Sequence, residues 1–213
     1  METKSFSISL ERNPLITINI IPGHFTTINS HTNNYLDVSG LKSNALVARN
    51  VARELAIPYL SSTLVDAVVC MERTEVIGAY LAEELLTAGN SVINENGEIH
   101  VLTPLNNING KLFFQDNLVE WISNRNIILL VASISSGKTI QSALECLNYY
   151  GGKTAGISAL FISSHDKIEQ EVNALFTSDD IPGYKLFSLG ECAMCKAGQK
   201  LDAIISSEGY TII

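Results

Sequence analysis

The densest cluster of small, hydrogen-bonding side chains lies near the middle of the sequence. Its members are Ser135, Ser136, Gly137, Lys138 and Thr139. Hydroxyls, backbone amides and one ammonium group are donors that hold a phosphate, provided that the chain turns tightly around it. A strand-to-helix connection with an ordinary Ser cap is the alternative interpretation. The density of donors favours phosphate binding.

The residues around this cluster predict the elements that would position it. Five aliphatic residues, 127–131, precede it and are typical of a strand buried on both faces. Apolar residues at helical spacing follow it, and Gly151 and Gly152 end the pattern. A strand, a turn and a helix N-terminus in that order direct unpaired amides and the positive end of the helix dipole towards an anion.

Strand-like and helix-like segments alternate over the rest of the core, which predicts an α/β fold with a parallel sheet flanked by helices. The 127–131 strand should be central, between strands near 64–70 and 156–163. Helices are predicted over 41–55, 76–85 and 166–176, the second ended by Gly89, and a tight turn at Asn96-Gly97. We expect a single domain over 1–213, with a core at about 41–183. The ends, at about 1–40 and 184–213, should form a small accessory layer, which we call the hood.

Composition limits the partners. The chain has 213 residues, 46% of them hydrophobic, and no apolar run near the ~20 residues of a membrane span. Its net charge of −8 and the lack of a basic run argue against nucleic acid or an anionic membrane as a partner. The four cysteines suit a reducing compartment, where disulfides are rare. The N-terminal segment lacks the apolar centre of a secretory signal. Both features predict a cytoplasmic protein.

Three motifs resemble those of a known family. The type I phosphoribosyltransferase loop has four apolar residues, two acids, two apolar or small residues and Thr-Gly-x-Thr; residues 128–139 follow this order, with Ala132-Ser133 in place of the acids. Phe25-Thr26-Thr27, with Tyr35 and Asp37, resembles the Phe-Thr-Leu-x-Ser-Gly segment of orotate phosphoribosyltransferases. Residues 192–198, CAMCKAG, resemble the Cys-Pro-Leu-Cys-x-x-Gly tail of some bacterial members.

The resemblance implies a function and a site. Such enzymes transfer a phosphoribosyl group from phosphoribosyl pyrophosphate to a base, here a pyrimidine-like one, with Mg²⁺ carried by the pyrophosphate, and the orotate enzymes are homodimers. Residues 135–139 would bind the 5-phosphate. The remaining roles that it implies are Ala132 and Ser133 facing the ribose, Glu72, Arg73 and Thr74 in the pyrophosphate loop, and Phe25, Thr26 and His31 at the base. No residue is assigned as catalytic.

Two departures from the family pattern support a different interpretation. Ala132-Ser133 supplies no carboxylate to orient the ribose. The stretch 102–110, which corresponds to the family's cationic mobile loop, has no Lys, Arg or His, and Lys111 is the nearest cation. Lost contacts to a leaving pyrophosphate would impair catalysis more than binding. The alternative to orotate-type transfer is therefore a catalytically impaired nucleotide-binding or phosphosugar-binding relative, with a regulatory role.

A third interpretation is a nucleotide-binding P-loop. Residues 132–139 fit a permissive Walker A pattern with Ala132 in place of the first glycine. Lys138 would then contact nucleotide phosphates and Thr139 a Mg²⁺ ion. A P-loop normally follows the first strand of its sheet, whereas this segment follows several strands, so we rank this interpretation last.

Cys192 and Cys195 have a spacing that suits a zinc knuckle. A closed zinc site needs two more ligands, and the sequence contains no second Cys pair. His165 or Cys146 would have to come from elsewhere in the fold. We therefore expect a reduced, structural pair of thiols and assign no metal ligand.

Overall fold

The computed structural model describes residues 5–88, 97–163, 170–206 and 209–213. The strands are β1 (Phe6–Leu10), β2 (Asn13–Thr26), β3 (Ser30–Asp37), β4 (Ala67–Cys70), β5 (His100–Leu102), β6 (Leu105–Asn106), β7 (Leu112–Phe113), β8 (Asn126–Ile134), β9 (Lys153–Ile162), β10 (Val172–Thr177), β11 (Leu186–Ser188), β12 (Ala203–Ser206) and β13 (Gly209–Ile212). The α-helices are α1 (Ser39–Ser43), α2 (Ala45–Ala56), α3 (Glu75–Thr87), α4 (Lys138–Tyr149) and α5 (Ala193–Lys196). Short 3₁₀-helices span Ile57–Tyr59, Asp116–Trp121 and Ser178–Asp180. Within these ranges, no helix has the length and apolarity that crossing a membrane requires.

The core sheet has five strands in the order β10-β9-β8-β4-β5. Every neighbouring pair in it is parallel. The predicted strand 127–131 lies in β8, at the centre, between β4 and β9. This confirms the predicted parallel α/β sheet and the predicted order of its three middle strands.

The apolar run in β8 is continuous because the strand is buried on both faces. Ile128, Leu130 and Ala132 pack into one cluster with residues of α2 and α3. Ile127, Leu129 and Val131 pack into a second cluster with residues of α4. Alternating side chains of a single strand therefore contribute to two hydrophobic layers, as expected where helices cover both faces of a parallel sheet.

Strands from both ends of the chain form a second sheet, which is the hood predicted from the sequence. Its order is β11-β3-β2-β12-β13, and β1 also pairs with β2. The first half of β2 packs Ile16, Ile18 and Ile20 against the α2 and α3 layer. Its second half packs Ile21 and Phe25 against Ala203 of β12. The long strand β2 therefore connects the hood rigidly to the core.

The prediction of a helix over 166–176 is wrong for the residues of this range that the structure describes. Residues 172–177 form β10, which pairs in parallel with β9. Val172, Leu175 and Phe176 are buried there. Pairing at the open edge of the sheet outweighs the local helical pattern, because strand preference depends on the surface that a segment covers. Gly89, Asn96, His165 and residues 166–169 lie outside the described residues.

One close approach positions the helix that follows β4. A Cβ atom added at Gly78, in α3, would overlap the Sγ of Cys70 and lie 3.3 Å from Val101 Cγ1. No heavy atom lies within 4 Å of a Cβ atom added at Gly40, in α1. The absence of a side chain at Gly78 therefore sets how closely α3 approaches the sheet.

We expect Gly78→Ala to lower the free energy of unfolding by about 1–3 kcal/mol. The steric overlap of the new methyl group costs more free energy than the higher helix propensity of alanine contributes. Gly40→Ala is the matched control, and it should be neutral or stabilising by up to about 1 kcal/mol. Urea denaturation measures both. The double variant Gly78→Ala with Cys70→Ala should lose less stability than the sum of the single variants. Additive losses would contradict the overlap with Cys70.

Candidate functional site

The carboxyl ends of β4 and β8 open into a cleft of about 740 Å³. The loop after β4, the turn after β8, the β6–β7 hairpin and the hood all line it. In open parallel sheets the crevice beyond the carboxyl ends of the strands is the usual position of a ligand site. The sheet thus brings together two segments, 71–74 and 135–139, that the sequence assigned to the two ends of one ligand.

The turn after β8 forms one wall of the cleft. Gly137 is the N-cap of α4 and has φ +78°, a left-handed conformation that glycine adopts without steric cost. No side chain caps the helix, so the amides of its first turn are not used by a cap. Residues 135–140 line the cleft. Ser163 fixes the turn by donating from its Oγ to the carbonyl oxygen of Ser135, 3.1 Å away.

Lys138 contacts the hood across the cleft. Its Nζ donates to Oδ1 of Asn29 at 3.0 Å. Asn29 lies in the turn between β2 and β3, where its amide donates to Thr27 Oγ1 at 3.1 Å. The cation predicted at the phosphate site is therefore held next to the hood, at the mouth of the turn.

The loop after β4 has an unusual backbone. Glu72 and Arg73 are consecutive non-glycine residues with φ of 56° and 64°. Such conformations are strained and occur most often at functional sites. They turn the Glu72 side chain back towards β8, where its Oε2 accepts hydrogen bonds from the amides of Ala132 (3.0 Å) and Ser133 (2.9 Å).

Burial raises the pKa of Glu72 from its ordinary value of 4.5. Hydrogen bonds from the amides of Ser133 and Ala132, and the charge of Lys42, act in the opposite direction but are smaller. Lys42 Nζ also donates to the backbone oxygen of Glu72 at 2.9 Å. Glu72 is thus a desolvated carboxyl group, positioned at the point where β8 enters its turn.

One site assignment made from the sequence needs correction here. Thr74 is fully buried and does not line the cleft; its Oγ1 donates to the carbonyl oxygen of Met71 at 2.8 Å and stabilises the loop. Glu75 lines the cleft instead. Ala132 and Ser133 both line the cleft, but Ala132 is 4% exposed and its methyl group packs in the core, whereas Ser133 is exposed.

The residues predicted to contact a base also need correction. Phe25 is fully buried in the hood core, and neither Thr26 nor His31 lines the cleft. The turn that follows Thr26 provides the lining instead, through Thr27, Ile28 and Asn29. The alternation along β2 and β3 decides which side chains of this segment line the cleft, and the sequence motif does not reveal it.

Three cations and two carboxylates occur among the described lining residues. They are Lys42, Arg73 and Lys138, with Glu72 and Glu75. Lys42 was not identified from the sequence, since it lies in α1, far from any motif. The β6–β7 hairpin lines the cleft with Asn106 and Gly110, and it adds no cation to this set.

Cys70 also borders the cleft, but its side chain is fully buried and its Sγ faces Gly78 of α3. Burial raises its pKa to about 12, so at neutral pH it is a protonated thiol. Because the thiolate is the nucleophilic form, Cys70 is not suited to nucleophilic catalysis. The cleft is equipped for binding and for electrostatic stabilisation.

Comparison with known proteins gives the fold. No protein-family model and no curated protein matches the sequence. The structure is similar to UMP synthase from Leishmania donovani, with a TM-score of 0.55, 16% identity and coverage of 89% of this chain. It is also similar to orotate phosphoribosyltransferase from Mycobacterium tuberculosis H37Rv, with a TM-score of 0.52 and 10% identity over 76% of this chain and 91% of that one. A phosphoribosyltransferase from Corynebacterium diphtheriae has a TM-score of 0.51 and 12% identity over 76% and 90% of the two chains.

These similar structures identify the fold of the chain. The chain has the type I phosphoribosyltransferase fold, with a parallel sheet flanked by helices and a hood built from both termini. It spans 37% of the length of the UMP synthase that it matches. At 10–16% identity the likeness shows the fold alone. The fold gives no support to the P-loop interpretation.

Glu72 should make stability depend on pH. A carboxyl group whose pKa is raised in the folded state stabilises the fold while it is protonated, and this contribution is lost as the pH rises through the folded pKa. Glu72→Gln removes the titration and keeps a side-chain oxygen for the two amides. The stability of the variant relative to the native protein should therefore increase between about pH 4 and about pH 8.

Urea denaturation across this range measures the difference. Glu83→Gln, on the exposed face of α3, is the control and should show no such trend. A difference between Glu72→Gln and the native protein that stays constant with pH would contradict the desolvated environment of Glu72.

Proposed function

We propose that this protein is a phosphoribosyltransferase that transfers the 5-phosphoribosyl group of phosphoribosyl pyrophosphate to a pyrimidine-like base of the orotate type. The observation that carries the proposal is that the 135–139 turn, the Glu72 loop and the hood face one cleft, in a chain with the fold of this class. The 5-phosphate would bind at the first turn of α4. The pyrophosphate would lie beside Arg73 and Lys42.

Glu72 answers the main objection to catalysis. The family motif has two acids at the positions of Ala132 and Ser133, and this chain has none there. The Glu72 carboxyl group, from the loop after the neighbouring strand β4, accepts hydrogen bonds from the backbone amides of both residues at 3.0 and 2.9 Å, and this position supports Glu72 as the substitute for the two acids. We assign to Glu72 the role of orienting the ribose hydroxyls and of stabilising positive charge at C1′.

The transfer breaks the bond between C1′ and a pyrophosphate oxygen and forms a bond between C1′ and a ring nitrogen of the base. The leaving group gains negative charge as the bond breaks, so fixed cations near it stabilise the transition state. Mg²⁺ would enter the cleft bound to the pyrophosphate, as part of the substrate. Glu72 and Glu75 line the cleft with oxygen donors of the hard type that Mg²⁺ prefers.

The alternative function is a nucleotide-binding or phosphosugar-binding protein with little or no turnover. It is favoured by the β6–β7 hairpin, which contributes no cation to the described lining. Ligand binding uses the turn and the loop cations, whereas catalysis also needs stabilisation of the departing pyrophosphate. The two functions therefore differ in turnover and not in the site that they use.

Gly137→Ala should weaken binding of phosphoribosyl pyrophosphate and of nucleoside monophosphates about tenfold or more, since a side chain at φ +78° displaces the amides that hold the phosphate. Gly151→Ala is a matched control, because Gly151 also has φ +78° and lies just beyond the other end of the same helix. The control should lose similar stability but keep its affinity. Calorimetric titration measures both; equal affinities for the two variants would refute the phosphate site.

Turnover separates the two functions. We expect pyrophosphate release by the native protein with orotate, uracil or another base. We expect it to fall about 10–100-fold in Glu72→Gln, the equivalent of one hydrogen bond to a charged group, with the affinity for phosphoribosyl pyrophosphate retained. Tight binding without release on any base would establish the alternative. In that case Asn106→Lys, which adds a cation to the hairpin, should raise the rate above background.

The resemblance also leads us to propose a homodimer, since orotate enzymes complete their sites across a two-fold axis. Light scattering at micromolar concentration should give about twice the chain mass of 23.2 kDa. A monomer under these conditions would mean that the cleft functions with the cations of one chain alone.

A further inference from the structure

Four metal-ligating side chains meet inside the hood. His24 lies near the end of β2 and His31 near the start of β3, while Cys192 is the N-cap of the short helix α5 and Cys195 lies within that helix. One ligand atom from each residue lies within 4.8 Å of all the others. His24 and Cys192 are almost fully buried, at 0% and 1% exposure. The hood therefore concentrates two imidazoles and two thiols around one point.

The distances in this cluster are those of a tetrahedral zinc centre. A regular tetrahedron with Zn–N of about 2.0–2.1 Å and Zn–S of about 2.3 Å separates its two nitrogens by about 3.3–3.4 Å and a nitrogen from a sulfur by about 3.5–3.6 Å. His24 Nε2 and His31 Nδ1 are 3.2 Å apart. Cys192 Sγ and Cys195 Sγ lie 3.4 and 3.6 Å from His24 Nε2, and Cys195 Sγ lies 3.3 Å from His31 Nδ1.

Neighbouring carbonyl groups orient His24 as a ligand. Its Nδ1 lies 3.0 Å from the backbone oxygen of Gln199 and 3.2 Å from that of Lys200. A ring nitrogen that faces carbonyl oxygens carries the proton, so Nε2 keeps its lone pair, which points into the cluster. Such a hydrogen bond behind a metal-ligating histidine is a usual part of zinc sites, where it fixes the tautomer and the ring.

A hydrogen-bonded cluster without metal explains these contacts less well. His24 Nε2 has three close neighbours, namely His31 Nδ1 and the two sulfurs. An unprotonated nitrogen accepts a hydrogen bond along one lone-pair direction, and thiols are weak donors. A single cation at the centre accounts for all three contacts, because each neighbour then directs its own lone pair to the same point.

We propose that His24, His31, Cys192 and Cys195 bind a structural zinc ion. Two nitrogens and two thiolate sulfurs in a tetrahedron are the ligand set that selects zinc over Mg²⁺ or Ca²⁺, which prefer oxygen. All four positions are filled by the protein, which is typical of a structural site and leaves no open position for catalysis. The ion is distinct from any Mg²⁺ that enters with a pyrophosphate.

The zinc ion connects the two ends of the chain across the hood. Residues 168 positions apart, His24 and Cys192, are brought into contact there. Two hydrogen bonds also join the two ends of the chain at this point. The backbone amide of His24 donates to Asp202 Oδ2 at 2.7 Å, and the backbone amide of Asp202 donates to the carbonyl oxygen of His24 at 2.8 Å. The turn that carries Asn29, which contacts Lys138, lies between the two histidine ligands. The metal therefore fixes the hood turn over the cleft.

Metal analysis of the full chain tests the proposal, and its outcome does not depend on enzymatic activity. The native protein should contain about one zinc per chain. After removal by a chelator it should take up Co²⁺ and show the intense visible absorption of tetrahedral cobalt, with a thiolate charge-transfer band. Cys195→Ser and His31→Gln should lose the metal. Cys146→Ser and His100→Gln, which change a cysteine of α4 and a histidine of β5, are the matched controls and should keep it.

Thermal unfolding keeps the test valid if a ligand variant is poorly folded. Zinc should raise the unfolding midpoint of the chelator-treated native protein and of Cys146→Ser, because an ion that binds only the folded chain stabilises it by mass action. Cys195 is exposed, so its replacement by serine should leave a folded chain whose midpoint no longer responds to zinc. A native protein that neither contains nor takes up zinc would overturn the proposal, as would the same zinc content in Cys195→Ser and Cys146→Ser.

Discussion

Two hydrogen bonds, from the amides of Ala132 and Ser133 to Glu72 Oε2, connect the carboxyl ends of the two strands that form the cleft. Much of the site geometry depends on them. The left-handed backbone of Glu72 and Arg73 is needed to turn the side chain back towards β8, and the two bonds offset part of its strain. Burial of the carboxyl group opposes ionisation, while the amides and Lys42 favour it. The net effect is a pKa above the ordinary value, with burial as its largest cause.

The sequence predicted the core of the fold well because its signals are local. The uninterrupted aliphatic run of β8 indicates burial on both faces, and the change to helical spacing after Gly137 locates α4. The position of the Glu72 side chain could not be predicted in this way. No local pattern indicates that two non-glycine residues will adopt positive φ, and the hydrogen bonds that result join positions 60 and 61 residues apart. The strand β10 was missed for a related reason, since an edge strand is stabilised by pairing with β9 and not by its own composition.

The cluster of histidines and cysteines in the hood also depends on long-range contacts that local sequence signals do not reveal. The spacing of Cys192 and Cys195 is a local signal and was visible in the sequence, whereas the two histidines that complete the cluster lie 161–171 residues away. Their approach depends on the register of β2 with β3, in which Thr26 faces His31, and on the parallel pairing of β2 with β12. The same register removes His31 from the cleft. A residue that resembled a base ligand by its position in a motif is thus better explained as part of a metal centre, because strand alternation and not motif position decides the direction of its side chain.

The charge distribution sets the conditions under which a polyanion can bind. The chain carries a net charge of −8, so its long-range field repels phosphoribosyl pyrophosphate. That field is screened beyond about 8 Å at physiological ionic strength, whereas donors within the cleft act at contact distance. Lys42, Arg73 and Lys138, together with the amides at the start of α4, must therefore provide the affinity locally. Lys138 contacts Asn29 of the hood, and Lys42 contacts the Glu72 loop. Under the proposed function, a phosphate that enters the turn would compete with Asn29 for Lys138, which would couple ligand binding to the position of the hood turn.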